Sequence, residues 1–153
     1  MDPAIIQLDD SITDQATKRM LQNVIERKKK FDYLKKKHFR TTLVTLLLGF
    51  LLILYVYVFY VKPFSFSYLD MLTRFVGHST SLLYCAAAFG AYGYMLVLKK
   101  KKDKAEKEFH ALRCEIVDRS KDLWKPEAAW KDRHKIFQLM KDQYDINLFH
   151  QNK

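Results

Sequence analysis

The chain has 153 residues, 49% hydrophobic and 29% charged, with 27 Lys/Arg against 17 Asp/Glu for a net charge of +10. One soluble domain would suit that length, but two apolar blocks divide it and leave short polar arms, neither large enough for a sizeable core of its own. Cys85 and Cys114 are too few for a disulfide framework, and both are expected as free thiols.

Residues 1–40 form an N-terminal arm. Its first ten residues hold Pro3 and three aspartates and are expected to fray. Ser11 with Asp14, or Thr13 ahead of Asp14, offers an N-cap. No Gly or Pro follows between Asp14 and Arg40, and Met20, Leu21, Val24, Phe31 and Leu34 make a narrow apolar stripe on a charged helix. The basic run ERKKKFDYLKKKHFR leads directly into the next element, so one helix is expected to continue without a break.

Residues 41–61 (TTLVTLLLGFLLILYVYVFYV) contain no charged side chain, and fourteen of them are Leu, Ile, Val or Phe. A helix of this length matches a hydrocarbon core of about 30 Å, and its apolar residues favour insertion by roughly 4 to 8 kcal/mol. This predicts a first transmembrane helix, retained in the mature protein because it starts too late and runs too long for a signal peptide. Residues 62–75 follow as an external connector, whose aromatics and Leu69–Leu72 patch suit folding back onto the membrane interface.

Residues 76–98 are predicted as a second, weaker span, with only seven Leu, Val or Phe. They are expected to insert as the returning limb of a hairpin. Their small residues, among them Ala86, Gly90 and Gly93, allow close helix packing, either against the first span or between subunits. Tyr55, Tyr57, Tyr60, Tyr92 and Tyr94 read as aromatic-belt residues near the two membrane surfaces.

Residues 99–153 begin with a lysine run and continue as two amphipathic helices separated at Pro126. Phe109, Leu112 and Ile116, then Trp130, Phe137 and Met140, recur at heptad spacing. They are expected to form a coiled-coil-like seam, pairing with each other or with a partner.

Eight Lys/Arg lie between Arg27 and Arg40 and five lysines between Lys99 and Lys104, against only Lys62 and Arg74 in the connector. That bias predicts both termini in the cytoplasm. Lys28, Lys29, Lys30, Lys35, Lys36, Lys37, Lys99, Lys100, Lys101 and Lys102 are expected to attract anionic lipid headgroups. Nucleic acid is not expected, because no recognition helix or stacking-aromatic signature accompanies the charge.

No catalytic, cofactor-binding or metal-binding residues are expected. The sequence lacks GxSxG, HExxH, CxxC and any phosphate-binding glycine loop. His110 and Cys114 share a helix face, but nothing supplies the remaining ligands of a metal site. His78 is expected at the outer interface, and the spans carry no Asp, Glu, Lys or Arg, which counts against an ion or proton transporter. The alternative is a small transport or channel-type subunit, in which an oligomer lines a path with Ser79, Thr80, Ser81 and Tyr84.

The words TKRMLQNVIERKKKFDYLKKKHFR before the first span and KDQYDINLFH near the end resemble the YpbF-like family of small bacterial membrane proteins over nearly the whole chain. The resemblance implies two spans in a bacterial plasma membrane and brings no catalytic or binding residues. The reading is an all-α protein: a long basic N-terminal helix, a transmembrane helical hairpin and two cytoplasmic amphipathic helices. Its expected role is a non-enzymatic membrane-anchored interaction or scaffold module, as a homo-oligomer or with another membrane-associated protein.

Overall fold

The structure, a computed structural model, describes residues 5, 13–63, 67–125 and 127–149. All regular secondary structure among them is helical. In chain order the elements are α1 (Gln15–Val56), a π-helical turn (Tyr57–Val61), α2 (Tyr68–Gly77), α3 (Ser79–Asp118), α4 (Ser120–Leu123) and α5 (Glu127–Tyr144). The expectations for Ser11, Pro126 and most of the first ten residues fall outside the described residues.

The helix ends follow local chemistry. Asp14 itself caps α1, its Oδ1 accepting the Thr17 amide at 2.8 Å. The Thr17 side chain and then its amide hold the Asp14 carboxyl below its ordinary 3.8. Ser67 caps α2, its Oγ accepting the Asp70 amide at 3.4 Å. His78 is extended between α2 and α3. The second apolar helix therefore starts at Ser79, and Val76 and Gly77 end the helix before it, a correction to the boundary at 76. At its other end α3 continues through the lysine run to Asp118, so the first of the two expected amphipathic helices is a continuation of the second apolar helix.

The chain divides into two compact units, one of residues 1–34 and 102–153, the other of residues 35–101. In the first, Leu21, Val24 and Ile25 of α1 are buried in one cluster with Phe109 and Ile116 of α3, Trp124, Ile136, Phe137 and Met140, and Ile146 and Leu148 of the tail. Two arms that are each too short for a core supply one jointly. The apolar stripe of α1 is the half of that core which completes the heptad positions of α3 and α5.

The tail is turned back onto this core by Asp145, whose φ of 55° is left-handed. The Asp145 amide donates to Lys141 O at 3.0 Å and the Ile146 amide to Met140 O at 3.1 Å, closing the C-terminus of α5.

In the second unit the two apolar helices touch in opposite directions. Thr45 Oγ1 lies 3.5 Å from the Ala91 carbonyl, and Tyr55 OH lies 3.2 Å from Ser81 Oγ. Thr45 to Tyr55 is ten residues forward, and Ala91 to Ser81 is ten back. On α1 the less exposed positions include Thr45, Leu48, Leu52 and Tyr55; on α3 they are Ser81, Cys85, Ala88, Ala91, Met95 and Leu98. Both sets step by three and four, the spacing of helices packed at a shallow angle. Thr41, Thr42 and Thr45 satisfy their hydroxyls on carbonyls four residues earlier, at 2.9 to 3.0 Å, which suits polar groups in an apolar segment.

The rest of this surface is apolar and exposed. Leu46, Phe50, Ile53 and Val58 of the first block, and Leu83, Phe89 and Val97 of the second, are 49% to 75% exposed. Both long helices are apolar enough to cross a membrane by length and composition.

Candidate functional site: an aromatic and hydroxyl cluster beside a basic hollow

Five residues apart in a regular α-helix, Tyr55 and Tyr60 would point about 140° away from each other, at about 100° per residue. The π-helical turn removes that divergence. The Lys62 amide donates to Tyr57 O at 2.9 Å, an i→i+5 bond that widens the helix and returns Tyr60 to the side of Tyr55. Both hydroxyls then meet Ser81. Tyr55 OH lies 3.3 Å from Tyr60 OH, and Tyr60 OH is hydrogen-bonded to Ser81 Oγ. Tyr60 and Ser81 are buried. A ring of three hydroxyls allows each to donate once and accept once, which satisfies the buried oxygens of Tyr60 and Ser81.

Aromatic rings close round this triangle. Tyr84 packs on Tyr55 with centroids 5.1 Å apart, Phe75 meets Tyr60 edge-on at 5.2 Å and the His78 ring is 6.5 Å from Tyr60. Beside it is an open hollow of about 310 Å³ lined by Tyr55, Phe59, Tyr60, Arg74, His78 and Thr80. Tyr55 and Tyr60 thus turn toward α3, whereas Tyr57 stays exposed. Hydrophobic periodicity does not locate a π turn.

The other expected residues are placed as follows. Ala86, Gly90 and Gly93 are exposed, and a Cβ added at Gly90 or Gly93 would meet nothing within 4 Å. The small residues on the intrachain seam are instead Cys85, Ala88 and Ala91, on the opposite side of α3. Phe109, Ile116, Phe137 and Met140 are buried, and Leu112 and Trp130 pack partly against them. The seam is covered by the chain's own N-terminal helix and tail.

Lys28 is not spread on the surface. Its Nζ lies 3.2 Å from Asp145 Oδ2 and 3.6 Å from Asp32 Oδ1, with the side chain only 14% exposed. It also sits 5.6 Å from the Phe109 ring centroid. Lys29 lies 5.7 Å from the Tyr144 ring centroid and Lys37 6.0 Å from that of Tyr94. Lys102 is engaged with Asp103 at 3.0 Å and Glu106 at 3.8 Å. Lys30, Lys35, Lys36, Lys99, Lys100 and Lys101 are exposed.

Ser79 and Thr80 are exposed, Ser81 is enclosed, and Tyr84 leans on Tyr55; at about 100° per residue the four cover more than half of the circumference of α3. His110 and Cys114 are half-buried beside the seam. Among the described residues no three His, Cys, Asp or Glu side chains come together as a metal site would require.

Fold and site together define an all-helical protein with two helices long and apolar enough to cross a membrane and a polar cluster at one end of that pair. Comparison with known proteins gives the family: residues 20–151 match the family described as "Protein of unknown function (DUF2663)". The chain is also 35% identical over 144 residues to the uncharacterized protein YpbF of Bacillus subtilis (strain 168), covering 94% of this chain and 95% of that one. The chain belongs to this family. No solved structure matches it.

Proposed function

We propose that the protein is a non-enzymatic, membrane-anchored interaction module. Its two apolar helices would cross the bilayer as a hairpin, with both termini and the core they share in the cytoplasm. The observation that carries this reading is a contrast within one chain. Large apolar side chains of the unit of residues 1–34 and 102–153 are mostly buried, whereas those of residues 43–61 and 82–97 are mostly exposed over a continuous surface. Exposed apolar area on that scale is costly in water and costs nothing in lipid.

The exposed lysines at 30, 35, 36 and 99–101 would face anionic headgroups of the cytoplasmic leaflet at about 1 kcal/mol each. The α2 helix would lie in the outer interface. Its Leu69, Leu72 and Val76 share one exposed apolar face, with Asp70 and Arg74 on the other side. Ala86, Gly90 and Gly93 would seat a second copy of the chain, since the intrachain seam leaves that side of α3 uncovered.

Alkaline carbonate washing of membranes tests the anchoring: the chain is expected in the pellet, and release into the supernatant would refute the reading. Gly90→Ile, whose Cβ would meet nothing within 4 Å, is expected to abolish cross-linked dimers while leaving the thermal unfolding of the monomer unchanged.

A further inference from the structure

The hollow beside the hydroxyl triangle has a chemical character that the anchoring role does not require. Two of its six lining side chains, Arg74 and His78, are basic types, Thr80 adds a hydroxyl, and none is a carboxylate. Asp70, the single acidic residue between 62 and 98, shares the Arg74 side of α2 but does not line the hollow. The α3 helix begins at this point, and its N-terminus contributes a partial positive charge of about half an elementary charge. The Ser81 and Leu82 amides both donate to the His78 carbonyl, at 3.0 and 3.5 Å, so the first turn of α3 is anchored on the residue that lines the hollow.

The walls are preorganised. Tyr55 and Tyr60 are held by Ser81 and by each other, so their rings form a fixed apolar side, and Phe59 packs on Tyr55 at 5.1 Å. Arg74 is in the last turn of α2, where the His78 amide donates to the Arg74 carbonyl at 3.1 Å and fixes the backbone between the two basic residues. A guanidinium, an imidazole and a hydroxyl line an opening of about 310 Å³, which has room for a phosphate group and, along its aromatic flank, for the ester substituent.

We propose that this hollow binds a phosphate-bearing anion, either the headgroup phosphodiester of an outer-leaflet phospholipid or free phosphate. The lipid source rests on the membrane-anchored reading above; the phosphate chemistry does not.

The test uses the full chain in a neutral maltoside micelle, with histidine and arginine side chains isotopically labelled. His78 and Arg74 resonances are followed by NMR during titration with dihexanoyl phosphatidylglycerol, inorganic phosphate, or dihexanoylglycerol, which lacks phosphate. Saturable shifts with phosphatidylglycerol alone assign the site to lipid, and saturable shifts with inorganic phosphate as well assign it to the phosphate group itself. Arg74→Gln is expected to weaken binding about tenfold or more, the loss of one charge-assisted contact, with Arg74→Lys recovering part of it. The shifts of wild-type His78 decide the matter independently of how the Gln variant folds. No saturable shift with either phosphate compound, or equal shifts with dihexanoylglycerol, would overturn the proposal. A chain that fails this test yet stays in the membrane after carbonate washing leaves the anchoring intact.

Discussion

Lys28 and Asp145, 117 residues apart in sequence, meet at 3.2 Å and tie the N-terminal helix to the turn that ends α5. The carboxylate is largely exposed, so the ion pair is worth little, roughly 0.5 kcal/mol on the scale of surface pairs. The left-handed backbone at Asp145 is the larger effect. Asp145→Gly is therefore expected to cost less than Asp145→Ala by about 1 kcal/mol, because glycine relieves the backbone while both remove the pair. Thermal unfolding of the two variants side by side reads the difference; equal losses would show that φ is not strained there.

Asp14 sets the pH response of the other end of that unit. Its carboxyl is held below 3.8 by the Thr17 side chain and amide, so the charged form is favoured in the folded chain. The stabilisation is present above the ordinary carboxylate value and is lost as pH falls through the lower folded value. Asp14→Asn keeps an acceptor for the Thr17 amide and is expected to flatten the acid limb of the stability profile as pH falls below the ordinary carboxylate value of 3.8. Asp14→Ala is expected to cost about 1 kcal/mol at neutral pH. Unfolding midpoints across that pH range check both.

Burial in the shared core separates two kinds of apolar residue. Ile116 is fully buried against the N-terminal helix and tail, whereas Leu83 is 72% exposed on α3. Ile116→Ala is expected to cost about 2 to 5 kcal/mol, and Leu83→Ala less than about 0.5 kcal/mol in a micelle, where the side chain trades one apolar surrounding for another. Similar losses at the two sites would mean that the seam is not a core.

The hydroxyl triangle predicts coupling between Tyr60 and Ser81. Each of Tyr60→Phe and Ser81→Ala leaves a buried hydroxyl with one partner fewer, and the double variant removes both groups. A double-mutant cycle in mixed micelles is expected to give an interaction energy of about 0.6 to 2 kcal/mol. An interaction energy near zero would mean that the Tyr60–Ser81 bond contributes nothing to holding the π turn.

Much of this was legible in the residues. An uncharged run from Thr41 to Val61 can hardly be anything but a long apolar helix, and heptad spacing identified Phe109, Ile116, Phe137 and Met140 as core-type positions. Their cover is harder to see, because the complementary stripe of Leu21, Val24 and Ile25 lies 84 to 119 residues earlier. Nothing local in a sequence reports which of two amphipathic faces pairs with which. Which side of α3 faces α1 is open in the sequence for a related reason. That helix carries small residues on both sides, and composition alone does not choose between Ala88 with Ala91 and Gly90 with Gly93. The inward turn of Tyr60 depends on one extra residue in a helical turn, a backbone adjustment set by its contact with Ser81 and invisible to periodicity.

Orientation in the bilayer is the most direct test of the membrane hairpin. In a Cys85→Ala, Cys114→Ser background, single cysteines at positions 68 and 149 are exposed to a membrane-impermeant maleimide in right-side-out vesicles. The account predicts labelling of Tyr68→Cys and protection of Phe149→Cys until the vesicles are opened. Labelling of Phe149→Cys in sealed vesicles, or protection of Tyr68→Cys in them, would contradict it.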